Sequence, residues 1–149
     1  MKVASFFAGC GGLDLGFEQA GYEVVWANEF DKAIHETYQF NHPNTKLCKS
    51  DIRTLRSSDI PDCDGFIGGP PCQSWSEGGK QLGLNDERGR LFLDYIKFIK
   101  EKRPKFFIIE NVHGIISDKH FNTFLSFLSV LENAGYFVSY SLVNAANYC

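Results

Sequence analysis

The sequence has no apolar run near the roughly 20 residues needed to span a bilayer, and it carries no internal repeat or low-complexity tract. Its opening, Met1-Lys2-Val3-Ala4-Ser5-Phe6-Phe7, passes straight into glycines and lacks the layout of a secretory signal. A cytoplasmic protein with no membrane partner is expected. Positive charge is not in excess either: 15 Lys+Arg stand against 18 Asp+Glu, a net charge of −3. That excludes a protein gripping nucleic acid by bulk charge, but not one reading it through a local groove. The five cysteines (Cys10, Cys48, Cys63, Cys72, Cys149) are odd in number and form no Cys-x-x-Cys pair. Nor do the four histidines, His35, His42, His113 and His120, fall at ligand spacing. A disulfide scaffold and a metal site are therefore not expected, which leaves an organic cofactor or a lone thiol to carry any chemistry. What is present is core material: 44% hydrophobic and 15% aromatic residues in 149, enough for one folded domain and too much for a disordered chain.

The apolar residues change period along the chain. Val3–Phe7 reads as a buried strand entering a tight turn, and Leu13, Gly16, Phe17 and Ala20 then repeat at helical spacing up to Gly21. Tyr22–Ala27 predicts a second strand, and Asp31 is placed to cap a helix running to about Phe40. Thr45–Cys48 and Asp64–Ile67 predict two more strands. Ser74–Arg88 is polar and reads as a loop, followed by a helix stripe of Leu91, Phe92, Tyr95, Ile96 and Ile99. Phe106–Ile109 is an apolar strand, Phe121 to Leu131 a further helix stripe closed by Gly135, and Tyr136–Val143 a last strand. Alternating strands and helices predict an α/β domain with a mostly parallel, doubly wound sheet. Ligands in such sheets sit beyond the carboxyl ends of the strands, so the turns there hold the chemistry.

Three of those turns suit a nucleoside cofactor. Phe7-Ala8-Gly9-Cys10-Gly11-Gly12 lets a ligand approach the backbone, although Asp14 stands where Gly-x-Gly-x-x-Gly would place its third glycine. Glu29, 17 residues beyond Gly12, is at the distance from which an acid can accept from ribose hydroxyls. Asp51, with Ile52, follows the next strand and can accept from an adenine amino group. NAD and S-adenosylmethionine are both compatible with these residues alone.

The sharpest feature is Gly69-Pro70-Pro71-Cys72-Gln73-Ser74. Two prolines fix successive torsions, so Cys72 is presented on a stiff turn directly after a strand, an unusual place for a packing thiol. The thiolate would be the reactive form. Glu110-Asn111-Val112 ends the next strand, where a carboxyl at the end of an apolar run suits a proton donor.

Taken together, Phe6-Phe7-Ala8-Gly9-Cys10-Gly11-Gly12-Leu13, Asn28-Glu29-Phe30-Asp31, Asp51-Ile52, Gly69–Ser74, Arg88-Gly89-Arg90-Leu91-Phe92 and Glu110-Asn111-Val112 resemble the DNA (cytosine-5) methyltransferases, in family order across the chain. Gly69 to Gly79 looks closest to bacterial modification methylases that act on GGCC. The resemblance implies a Rossmann-like, S-adenosylmethionine-dependent methyltransferase fold and methyl transfer to cytosine C5 in double-stranded DNA. Cys72 would be the nucleophile on a flipped base and Glu110 the acid at N3. It implies that Phe7, Ala8, Gly9, Gly11, Gly12, Leu13, Glu29, Phe30, Asp51, Ile52, Pro71 and Leu91 line the cofactor. Pro71, Gln73, Ser76, Arg88, Asn111 and Val112 would face the base and its phosphates.

The sequence departs from the family at Asn144-Ala145-Ala146-Asn147-Tyr148-Cys149, where a Tyr-Gly-Val-type turn would lead to a Gln-x-Arg-x-Arg motif. Residues 1–149 are thus expected to be the N-terminal part of the catalytic domain, C-terminally incomplete. The target-recognition domain and the returning C-terminal segment would be absent. A second chain supplying that half, a cofactor-binding remnant without activity, and a tRNA cytosine methyltransferase are the alternatives. A nicotinamide oxidoreductase is disfavoured, having no use for Pro-Pro-Cys-Gln or Glu-Asn-Val.

Overall fold

In Val3-Ala4-Ser5-Phe6 every side chain is buried, although strand geometry sends successive residues to opposite faces. Only a strand covered on both faces does this, and the fold supplies the covers. A computed structural model describes residues 1–71 and 87–148, with the side chains of residues 87–89 excepted. Among the described residues, five parallel strands form one sheet in the order β3-β2-β1-β4-β5. They are β1 (Lys2–Phe6), β2 (Glu23–Asn28), β3 (Lys46–Cys48), β4 (Gly65–Gly68) and β5 (Phe106–Ile109). The described α-helices that join or follow them are α1 (Gly12–Gln19), α2 (His35–Asn41), α3 (Glu87–Lys102) and α4 (Phe121–Asn133).

One face packs Val3, Val24 and Ile67 against Leu13 and Phe17 of α1. The other packs Phe6, Trp26 and Phe66 against Tyr95 and Phe98 of α3 and Phe127 of α4. Phe6 is the hub of that second face, its ring 4.9 Å from those of Phe66 and Tyr95 and 5.3 Å from Trp26. Burying one such ring is worth roughly 1.5–3 kcal/mol. The expected doubly wound α/β architecture is present. Among the described residues no helix is long and apolar enough to cross a membrane.

Two expectations fail locally. Asp31 does not cap α2: its Oδ1 accepts from the Ala33 N–H at 2.9 Å, closing a turn of its own, and the helix starts only at His35. The short acidic side chain captures the nearest free amide, which lies outside the helix. Tyr136–Val143 is not a strand, although burial alternates over its first residues, with Tyr136 and Val138 part-buried and Phe137 exposed. Tyr136 lays its ring edge-on to Phe107 at 5.0 Å and donates to the Pro104 carbonyl at 2.7 Å, while Tyr140 meets Phe124 at 4.8 Å. These side-chain anchors hold the segment against the core, and its backbone forms no ladder with β5 among the described residues. Alternation reports a face; a strand also needs a partner for its amides.

Candidate active site

Register aligns the carboxyl ends of all five strands. Cys48 pairs with Asn28, Asn28 with Phe6, Phe6 with Gly68, and Gly68 with Ile109. The residues that follow are therefore delivered to one rim: Phe7 to Gly12, Glu29 and Phe30, Asp51, Gly69 to Pro71, and Glu110 to Val112. Strand order reverses between β1 and β4, which places the ligand crevice of such a sheet at this point of the rim.

The first turn is tightly determined. Phe7 leaves β1 with φ +54°, a left-handed conformation that is costly for an aromatic residue, and Gly9 and Gly11 follow at +55° and +88°. Gly11 N–H donates to the Ala8 carbonyl at 2.9 Å, and Ala8 N–H to the Asn28 carbonyl at 3.1 Å. A side chain on Gly11 would place its Cβ 2.0 Å from His42 Nε2, whereas one on Gly9 or Gly12 would meet nothing within 4 Å. The turn is thus closed on the protein side and open on the other. Leu13 is half-buried against the core beneath it.

Glu29 ties the second turn to the first. One carboxylate oxygen accepts from Gly9 N–H at 2.9 Å and the other from Asp31 N–H at 2.7 Å. Each oxygen keeps acceptor capacity for a further donor. Next to it Phe30 is 61% exposed, a bare aromatic face at the strand end. Buried Asn28 donates from Nδ2 to the carbonyls of Cys48 and Ser50, at 3.1 and 2.8 Å, which fixes the approach to Asp51. Asp51 is engaged by Arg53 through side-chain contacts as short as 2.6 Å and through its N–H. That hydrogen bonding holds its carboxyl below the usual carboxylate range. Ile52 is buried in the core cluster and Leu91 is half-buried against it.

The other half of the rim joins the two motifs singled out for chemistry. Glu110 N–H donates to the Gly68 carbonyl at 2.9 Å, extending the β4–β5 ladder past the strand ends. Asn111 Nδ2 donates to the Pro70 carbonyl at 3.0 Å, and its Oδ1 accepts from Val112 N–H. A Cβ on Gly69 would lie 3.1 Å from Glu110 Oε2. The exposed Glu110 carboxyl therefore rests against the residue that begins Gly-Pro-Pro-Cys. Asn111 and Val112 are half-buried at the same turn, as is Pro71. Cys72, Gln73 and Ser76 lie outside the described residues, and Arg88 falls in the first turn of α3 without a described side chain. Among the described residues no three His, Cys, Asp or Glu side chains gather as a metal-binding group.

Sequence reasoning missed a buried network behind the glycine turn. Asp14, 0% exposed, accepts from Ser5 Oγ at 2.6 Å and from Tyr38 Oη at 2.5 Å. Burial pushes its carboxyl above the usual range, opposed by the two hydrogen bonds, and pushes the Tyr38 phenol up as well. The one available signal was Asp14 itself, an acid at a position where a third glycine would let helix and sheet approach.

A parallel sheet with a glycine turn and acids gathered at one rim defines an α/β domain of the doubly wound class, and the comparisons with known proteins name its family. The C-5 cytosine-specific DNA methylase family model matches residues 1–149, and the chain belongs to that family. It is 50% identical over 149 residues to the type II methyltransferase M.NgoPII of Neisseria gonorrhoeae and 52% identical over 148 residues to M.FnuDI of Fusobacterium nucleatum. Each alignment takes 99% of this chain but only 44% and 43% of the relative, so the chain spans under half the length of these proteins. Among solved structures, a prophage-encoded E. coli protein assigned as a DNA modification methyltransferase superposes with a TM-score of 0.75 at 30% identity, covering 89% of this chain and 38% of that one. The S. pombe Dnmt2 methyltransferase gives 0.71 at 25% identity, covering 92% and 41%.

Proposed function

We propose that this chain is the cofactor- and cytosine-handling part of a DNA cytosine-5 methyltransferase of a bacterial restriction–modification system, acting in the cytoplasm on double-stranded DNA. The observation that carries the reading is the bond from Asn111 to the Pro70 carbonyl, with Glu110 lying against Gly69. It holds the acid beside the turn that leads to Cys72, which is the juxtaposition covalent catalysis on cytosine needs.

Cytosine C5 is too weak a nucleophile to take a methyl group unaided. Attack by the Cys72 thiolate at C6 forms a C–S bond and moves an electron pair to C5, while Glu110 gives a proton to N3. After C5 gains the methyl group, loss of the C5 proton breaks the C–S bond and expels Cys72 as thiolate, and N3 returns its proton to Glu110, which restores the ring. The target base has to leave the helical stack to be reached, with Pro71, Gln73, Ser76, Arg88, Asn111 and Val112 against it.

The rim fits S-adenosylmethionine, which would supply the electrophilic methyl group. The open side of Gly9 and Gly12 admits a ligand against the backbone, with Phe7, Ala8, Gly11 and Leu13 completing that wall. Glu29 retains acceptor capacity for ribose hydroxyls, and the exposed Phe30 ring offers a stacking face for adenine. Asp51 and Ile52 would border the adenine edge through the backbone around them, since Arg53 takes the Asp51 carboxylate and the core takes the Ile52 side chain. Pro71 and Leu91 would close the far end. The remainder of the relatives' length, on this chain's continuation or on a second chain, would supply DNA reading.

The test is transfer of labelled methyl from S-adenosylmethionine to duplex DNA, with this chain combined with the C-terminal part of M.NgoPII. Label in DNA that disappears with Cys72→Ser is the expected result. Label in tRNA but not DNA would reassign the substrate. No transfer and no cofactor binding by calorimetry would leave a remnant without activity.

A further inference from the structure

Helix α2 is only seven residues long, yet it presents polar side chains to the backbone of both cofactor turns. At its start His35 Nε2 lies 2.9 Å from the Glu29 carbonyl. At its end Asn41 Nδ2 donates to the Cys10 carbonyl at 3.2 Å, and His42 Nε2 to the Gly11 carbonyl at 3.0 Å. His42 is 2% exposed, stacked on the Tyr38 ring at 4.7 Å, with Nδ1 facing Glu18 Oε2 at 3.1 Å. Tyr38 is in turn pinned by Asp14. The ring that touches Gly11 is therefore held by two contacts, with Tyr38 and Glu18, before it reaches the turn.

We propose that His42 is a positioning residue for cofactor binding, setting the orientation of the Gly11–Gly12 peptide from behind the turn. The Gly11 carbonyl can only accept, so Nε2 is the donor. In a trans peptide the carbonyl and the following N–H point to opposite sides. Drawing the Gly11 carbonyl toward His42 thus turns the Gly12 N–H to the open side of the turn, where a Cβ on Gly12 would meet nothing. The same carbonyl accepts from Leu15 N–H at 2.9 Å, the first bond of α1, so the turn and the start of the helix are fixed at one atom. Besides its left-handed φ, position 11 needs glycine because any Cβ there would strike the imidazole. This role rests on the reading of the rim as a site for S-adenosylmethionine.

The experiment compares wild type with His42→Gln, His42→Asn and His42→Phe. Circular dichroism and melting would confirm folding, calorimetry would give affinity for S-adenosylmethionine, and hydrogen exchange would be followed at Leu15. A Gln amide can place a donor where Nε2 stands and an Asn amide where Nδ1 stands. The expected result is near-native affinity for H42Q, and about a tenfold loss for H42N and H42F in folded protein. Leu15 exchange should quicken in the same two variants with or without cofactor. Equal affinity and equal exchange in all three folded variants would overturn the proposal, because filling space and stacking on Tyr38 would then be the whole role of His42. If wild type binds no cofactor, the site reading falls. The proposal then falls with it if Leu15 exchange is also unmoved, whereas quickened exchange in H42N and H42F would uphold the turn-setting role by itself.

Discussion

The two sides of the sheet rim are built on different principles. From β3 to β1 every turn is fastened to another by side chains: Glu29 to Gly9, Asn28 to Ser50, His42 to Gly11, and Asp14 to Ser5 and Tyr38. Beyond β5 the molecule is open. Ile108 on the edge strand is 44% exposed, and Leu142 and Val143 beyond it are 65% and 61% exposed. The braced side holds what has to be prearranged, a backbone turn with a strained Phe7 and glycines in left-handed conformations. The open side leaves these apolar side chains exposed. Between them lie β4 and β5, whose ends carry the proposed chemistry and share the bond from Asn111 to Pro70.

The sharpest contrast is in activity. In the complemented enzyme, Glu110→Gln is expected to lower methyl transfer by about 10²–10⁴-fold with little change in melting temperature. A parallel loss of stability would mean that the carboxyl is structural. Next is Gly11→Ala, which meets both a left-handed φ and the His42 ring. A loss of about 3 kcal/mol in urea unfolding is expected. If it proves neutral, the braced side is softer than its hydrogen bonds imply.

Asp14→Asn is expected to cost about 1–3 kcal/mol, with a distinctive pH dependence. Because burial raises the Asp14 carboxyl, the folded chain keeps a proton there at pH values where the unfolded chain has lost it. Its contribution is complete at acid pH and declines as pH rises through the raised value. The cost of Asp14→Asn should therefore shrink as pH is raised from the carboxylate range toward neutrality; a cost that grows would show that the ionised form is the one stabilised. Asp51 runs the other way, its depressed carboxyl losing its contribution as pH falls below the usual range. Smallest is the open side, where Leu142→Ser should shift stability by no more than about 0.5 kcal/mol. A larger effect would mean that the segment after α4 is braced after all.

Much of this was legible in the residues. Phe106–Ile109 is a strand with the bounds its apolar run suggests, and the turns after the five strands carry the acids and glycines expected of them. Local patterns suffice there because a buried parallel strand needs only a short apolar run and a turn. The misses have a common cause. Asp31 found an amide closer than the helix, and Tyr136–Val143 had the alternation of a strand without a neighbour to receive its hydrogen bonds. His42, one of four histidines that fall at no ligand spacing, sits 31 residues from the carbonyl it grips, a separation no spacing rule spans.

By itself the sequence determined the family, the α/β class and the order in which the chemical motifs arrive at the rim. Those follow from short-range features: apolar runs, glycine and proline torsions, and motif residues next to strand ends. Only the tertiary structure decided that Glu110 rests against Gly69, that Glu29 binds the first turn to the second, and that Asp14, Tyr38 and His42 stand behind the glycines. These depend on parallel strands brought into register across tens of residues. Buried polar groups then find whichever partners that packing leaves within reach, because leaving them unpaired would cost more than any local preference gains.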